Sequence, residues 1–107
     1  MKHRVVYSPE SRRDLEAIWE YIRYSLRNPS AAAHTVDKIV DEIDRLEILP
    51  DMGTPLSSIA EVESNERFLV TGNYLSFYRV CGDTVFIDRI LNGRCDYLRI
   101  LLSSPPE

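Results

Sequence analysis

Several features are scarce in this 107-residue sequence, and each shortage closes off a class of protein. No apolar run approaches the roughly 20 residues that cross a bilayer, and Met1 to Pro9 lacks the hydrophobic stretch of a secretion signal. A cytoplasmic protein with no membrane partner is expected. Cysteine occurs twice, as Cys81 and Cys95, without metal-ligand or C-x-x-C spacing, so two reduced, buried or half-buried thiols are expected rather than a bridge. Histidine also occurs only twice. His3 opens an edge strand and His34 lies early in a helix, so neither is expected to be catalytic. An excess of positive charge is missing as well, the net charge being −4. Residues 1–65 hold eight Lys/Arg against twelve Asp/Glu, and residues 66–107 hold five of each, all five cations being arginines. A general nucleic-acid-binding surface is not supported by that distribution.

What is present describes a folded α+β domain. Hydrophobic residues make up 44% and charged residues 28%, far from the composition of disordered chains. The length suits one domain, assigned to residues 1–102, with 103–107 as a flexible tail. His3 to Tyr7 favours a strand, and Ser8-Pro9-Glu10 then supplies an N-cap, a proline at the first helical position and an early acid. Leu15, Ile18, Trp19, Ile22 and Leu26 recur at helical spacing, which predicts one buried face. Trp19, Tyr21 and Tyr24 read as helix–sheet packing rather than base-stacking residues. Asn28-Pro29 repeats the cap-and-proline signal, and Val36, Ile39, Val40, Ile43, Leu46 and Leu49 form the stripe of a second helix, which makes a hairpin with the first. The acids Asp37, Asp41, Glu42, Asp44 and Glu47 on that helix read as a solvated face, so no metal and no cofactor is expected.

Periodicity stops from Asp51 to Glu66, which predicts a long loop. Phe68–Thr71, Tyr74–Cys81 and Thr84–Leu91 then alternate as strands around the turns Gly72-Asn73 and Gly82-Asp83, giving a three-stranded antiparallel meander. Direct pairing sets Phe68 opposite Phe77, Val70 opposite Leu75, Leu75 opposite Ile90 and Arg79 opposite Phe86. Both sheet faces come out apolar, yet one helical hairpin covers only one, so exposed apolar surface and a protein partner are expected. Asp96 to Leu102 fits a short helix or an extended segment.

Ser8-Pro9 followed by Asp14-Leu15, Pro50-x-x-Gly53, the hairpin Gly72-Asn73-Tyr74 running into Phe77-Tyr78-Arg79-Val80, and the closing stretch Ile90-Leu91-Asn92-Gly93-Arg94-Cys95-Asp96-Tyr97 resemble the RelE/ParE family of toxins from bacterial type II toxin–antitoxin modules. The closing stretch is similar to that family's I-L-H-G-R-R-D, and the likeness runs from about Val5 to Leu102. It implies a cognate antitoxin and one of two activities: inhibition of DNA gyrase, as in ParE, or ribosome-dependent cleavage of messenger RNA, as in RelE. RNA cleavage needs groups that activate the 2′-hydroxyl, neutralise phosphate charge and protonate a leaving oxygen. Leu75 stands where RelE-like enzymes place an arginine, and Asn92 where several place a histidine. An amide exchanges no proton near neutral pH. The ParE-like activity is therefore favoured, with no confident catalytic residue. An enzyme would have to use Arg94 and Tyr97 with Arg67 or Arg89, and would need the ribosome and message as partners. Arg79 reads as a paired structural residue. Candidates for partner contact are Phe68, Leu75, Phe77, Ile90, Asn92, Arg94 and Tyr97.

Overall fold

The computed structural model describes residues 2–61 and 63–102. Its first strand, β1 (Arg4–Tyr7), passes straight into helix α1 (Pro9–Glu20). The Ser8 hydroxyl accepts the Ser11 N–H at 2.9 Å, and Pro9 occupies the first turn, where its missing N–H costs nothing. A π-helical turn (Tyr21–Ser25) ends this helix, and Arg27, at φ 53°, reverses the chain into α2 (Pro29–Asp44), capped by Asn28. A 3-10 turn (Arg45–Glu47) closes the hairpin. The expected buried stripes hold at Ile18, Ile22, Ile39, Ile43 and Leu46, but Leu26 and Leu49 are exposed. Both lie where the chain leaves regular α-helical geometry, so the 3.6-residue period no longer carries them to the core side.

The sheet has five strands in the order β1-β5-β4-β3-β2 and is mixed, which extends the expected meander at both edges. β3 (Arg67–Thr71), β4 (Tyr74–Cys81) and β5 (Thr84–Asn92) are antiparallel, and β1 pairs parallel to β5, with Val5 beside Val85. At the opposite edge β2 (Thr54–Pro55) and a 3-10 turn (Leu56–Ser58) form inside the segment expected to be loop. What fixes that segment is Tyr78. Its hydroxyl donates to the Pro50 carbonyl at 2.8 Å and accepts the Gly53 N–H at 2.9 Å. A Cβ at Gly53 would come within 2.9 Å of the Phe68 carbonyl, so the Pro50-x-x-Gly53 pattern records a close approach of two backbones.

The expected pairings of Phe68 with Phe77, Val70 with Leu75 and Arg79 with Phe86 are present, but Leu75 faces Leu91, not Ile90. Tyr78 pairs with Ile87 while Phe77 pairs with Arg89, so Asp88 is an extra residue and the register slips by one. This bulge sends Ile90 to the helix side with Leu69, Tyr78, Val85 and Ile87, and Leu91 to the other side with Phe68, Leu75 and Phe77. The second face is not left open as expected. Helix α3 (Tyr97–Leu102) lays Tyr97, Leu98, Ile100 and Leu101 over it, so the segment from Asp96 is helical and the surplus apolar surface is largely covered by the chain itself. The tail 103–107 lies outside the described residues. Cys81 is exposed and Cys95 half-buried, both reduced, which corrects the expectation of buried or half-buried thiols for Cys81. Among the described residues, no helix is long and apolar enough to cross a membrane.

Candidate functional site

The turn that follows β5 is built by Asn92. Its Oδ1 accepts the Arg94 N–H at 2.8 Å and its carbonyl accepts the Cys95 N–H at 3.1 Å, while the Gly93 N–H donates to the Asn73 carbonyl at 2.8 Å. An asparagine side chain folding the backbone of its own turn is a common structural use of that residue. Arg94 is held at the exposed crest of this turn. Three residues on, the Tyr97 ring stacks on Phe77 at 5.4 Å between centroids with 30° between planes, and so anchors α3 to the sheet.

The remaining arginines suggested for chemistry are occupied elsewhere. Arg67 donates to the carbonyls of Gly53 at 2.8 Å and Asp51 at 3.2 Å, tying the 50–54 segment to β3. Arg89 makes a two-pronged pair with Asp14 on α1, at 2.8 and 2.9 Å, and Asp14 also accepts the Ile90 N–H at 2.9 Å. The hydrogen bond to Asp14 raises the Arg89 pKa. One carboxylate thereby satisfies the backbone beside the bulge and fastens helix to sheet. Arg67 and Arg89 are thus both engaged within the fold, and Tyr97 is engaged with Phe77. Of the partner-contact candidates, Phe68, Leu75 and Phe77 are buried beneath α3 and Ile90 beneath α1, while Asn92 and Arg94 are exposed.

Two further arrangements were not legible in the sequence. On the face away from the helical hairpin, Arg79 donates to Asp88 at 2.9 Å and lies over the Phe86 ring at 5.0 Å, as its structural reading anticipated. Glu66 joins this pair. Its Oε2 is buried without a donor, so burial, then a hydrogen bond to Asp88, push its pKa up to about 9. Glu66 keeps its proton at neutral pH. Asp88 meets Glu66 here because of the bulge, which no alternation pattern announces. Separately, a groove of about 340 Å³ opens between α1 and the end of the sheet, lined by Ile18, Tyr21, Tyr74, Ile90 and Asn92 among others. Tyr74 is half-buried there and its pKa is raised by burial and by Tyr21. Tyr21 itself is exposed, as is Tyr24, so neither packs into the helix–sheet core as expected. The groove can receive an apolar or aromatic side chain with one amide at its rim.

The fold is thus a strand, a helical hairpin and a mixed five-stranded sheet, closed by an Asn-built turn and a short helix. The sequence matches the ParE toxin of type II toxin–antitoxin system, parDE, over residues 5–97, and the chain belongs to that family. Among solved structures it is similar to the chromosomal ParDE toxin–antitoxin system from P. aeruginosa, at 24% identity and a TM-score of 0.71, over 85% of this chain and 96% of that one. It is also similar to the RelBE2 toxin–antitoxin complex from Mycobacterium tuberculosis, at 21% identity and a TM-score of 0.56, over 86% of this chain and 99% of that one. Both likenesses concern the fold. No curated protein matches the sequence.

Proposed function

We propose that this chain is a non-enzymatic toxin that inhibits DNA gyrase in the cytoplasm and is neutralised by a cognate antitoxin. The observation that carries this reading is the fate of the arginines. Arg67 and Arg89 are consumed by structural pairs, and Asn92 folds its own turn in place of a proton-transferring histidine. Membership of the ParE family and the deficit of positive charge support the same reading. The antitoxin segment has the groove beside Tyr21 and Tyr74, together with the exposed turn at Asn92 and Arg94, as its seat. The rival reading, a RelE-like ribosome-dependent endoribonuclease, has one observation in its favour: Arg94 is exposed and enters no ion pair among the described residues.

Purified protein is expected to inhibit gyrase supercoiling and to leave ribosome-bound messages intact, both as wild type and as Asn92→His, because no chemistry is there to restore. Message cleavage that strengthens in Asn92→His would make the chain a ribonuclease of reduced activity.

A further inference from the structure

The far end of the helical hairpin is not needed by the sheet. Tyr21, Tyr24 and Leu26 are 54%, 64% and 56% exposed, three large apolar side chains within six residues. The exposure of Leu26 follows from the backbone. The Leu26 N–H reaches back five residues to the Tyr21 carbonyl at 3.1 Å, and the Asn28 N–H six residues to that of Ile22 at 3.1 Å, with Arg27 in the left-handed region. This widened turn carries Leu26 off the core stripe to join Tyr21 and Tyr24, which lie outside that stripe. They are also organised. The Arg23 guanidinium lies 5.0 Å from the Trp19 ring and 5.5 Å from the Tyr24 ring, and those rings meet edge to face at 6.1 Å.

Charge at this tip is of one sign and, among the described residues, unpaired, whereas Arg67 and Arg79, in the equally acid-free residues 67–82, pair with Asp51 and Asp88. No Asp or Glu occurs from Tyr21 to Val36, sixteen residues in which two or three would fall at the chain's average density. Arg23 and Arg27 lie in that stretch, and neither pairs with a carboxylate among the described residues. Tyrosine, tryptophan and arginine are the residue types that carry most binding energy at protein interfaces. Arg23 is already fixed between two rings, so little side-chain freedom is lost when it meets a carboxylate.

We infer that this tip is the surface with which the toxin docks on an acidic surface of its target protein. Nucleic acid is a poorer occupant. Tyr24 and Trp19 already spend their rings on each other and on Arg23, Leu26 cannot stack on a base, and two arginines do not track a phosphate backbone. The inference rests on the toxin reading for there being a target, but not on that target being gyrase.

The test compares wild type, R23E/R27E, and R12E/R13E as a control that makes the same change of four charges at the exposed start of α1, each checked for folding by circular dichroism and melting. Growth arrest is scored against inducer dose, and inhibition of purified gyrase is measured in parallel. R23E/R27E is expected to need at least a tenfold higher dose for arrest, while R12E/R13E behaves as wild type. A folded R23E/R27E that arrests growth at the wild-type dose overturns the docking surface, as does an equal loss in R12E/R13E, which would make the effect one of overall charge. Arrest by wild type with gyrase untouched removes gyrase as the target and leaves the tip in place. Duplex or single-stranded DNA binding that R23E/R27E abolishes overturns the protein occupant, and a wild type that never arrests growth overturns both readings.

Discussion

The two faces of the sheet are covered by different means. On one, sixteen- and twelve-residue helices bury Ile39, Ile43, Val85 and Ile87 completely and are fastened by the Arg89–Asp14 pair. On the other, a six-residue helix covers only the apolar half, and the uncovered half carries a protonated carboxyl, an aspartate and an arginine. The first face contributes stability at nearly every position. A six-residue helix cannot form alone, because nucleation costs more than so few hydrogen bonds return, so α3 exists only through its contacts with Phe77 and its neighbours. The face that holds the fold together and the face that depends on a short docked helix are thus back to back on one sheet.

The largest effect should separate these faces directly. Ile39→Ala removes a fully buried side chain between hairpin and sheet and is expected to cost about 2–5 kcal/mol. Leu101→Ala, at a half-buried position on α3, should cost about 1 kcal/mol, since less apolar area leaves water contact on folding. Urea denaturation of both variants measures the difference. Equal costs would mean that α3 is part of the main cooperative unit and that the contrast between the faces is wrong.

The next effect is a pH dependence confined to the second face. The folded-state pKa of Glu66 is raised to about 9 from an ordinary value of 4.5, so the folded chain holds a proton that the unfolded chain releases. Its contribution is fully present below pH 4.5, declines as pH rises, and is lost above about pH 9, with a slope of at most about 1.4 kcal/mol per pH unit. Asp88 and Arg79 face the same carboxyl, the aspartate favouring and the arginine opposing the proton. Glu66→Gln keeps a donor for Asp88 and is expected to flatten the stability profile between pH 5 and 9. A melting temperature that falls across that range equally in both proteins would assign the loss to other groups.

Local chemistry made the helices and hairpins legible. Ser8-Pro9 and Asn28-Pro29 cap where they should, Gly72 and Gly82 sit at positive φ in the two strand turns, and the buried stripes follow from spacing alone. Three features depend on long-range geometry and were not readable. The parallel pairing of β1 with β5 joins residues eighty apart, β2 forms because Tyr78 captures Pro50 and Gly53, and the bulge at Asp88 exchanges the faces of Ile90 and Leu91. The site suffered most from the last of these. A one-residue slip decides which side chains meet, and it placed Asp88 beside Glu66 and Leu91, not Ile90, beneath α3. At the hairpin tip the failure was one of period: once the helix widens at Tyr21, the stripe that should bury Leu26 turns to solvent.

The smallest expected effect tests whether that tip is shaped for stability at all. Among the described residues three adopt a left-handed backbone, and two of them are glycines, Gly72 and Gly82 at φ 58° and 60°. The third is Arg27 at φ 53°, where a Cβ crowds the following carbonyl and costs roughly 1–2 kcal/mol that glycine avoids. Glycine also has more backbone freedom to lose on folding, which returns about 0.5–1 kcal/mol of that difference. Arg27→Gly should therefore stabilise the chain by about 0.5–1 kcal/mol, read as a rise in the urea midpoint with an unchanged slope. Arg27 is exposed and makes no ion pair among the described residues, so no folded-state contact offsets the gain. A more stable variant that arrests growth less well would show the arginine kept at the expense of stability for what its side chain meets. An unchanged or lower midpoint would mean that Arg27 is held by interactions the fold supplies, and the hairpin tip would then belong with the first face as part of the stable frame.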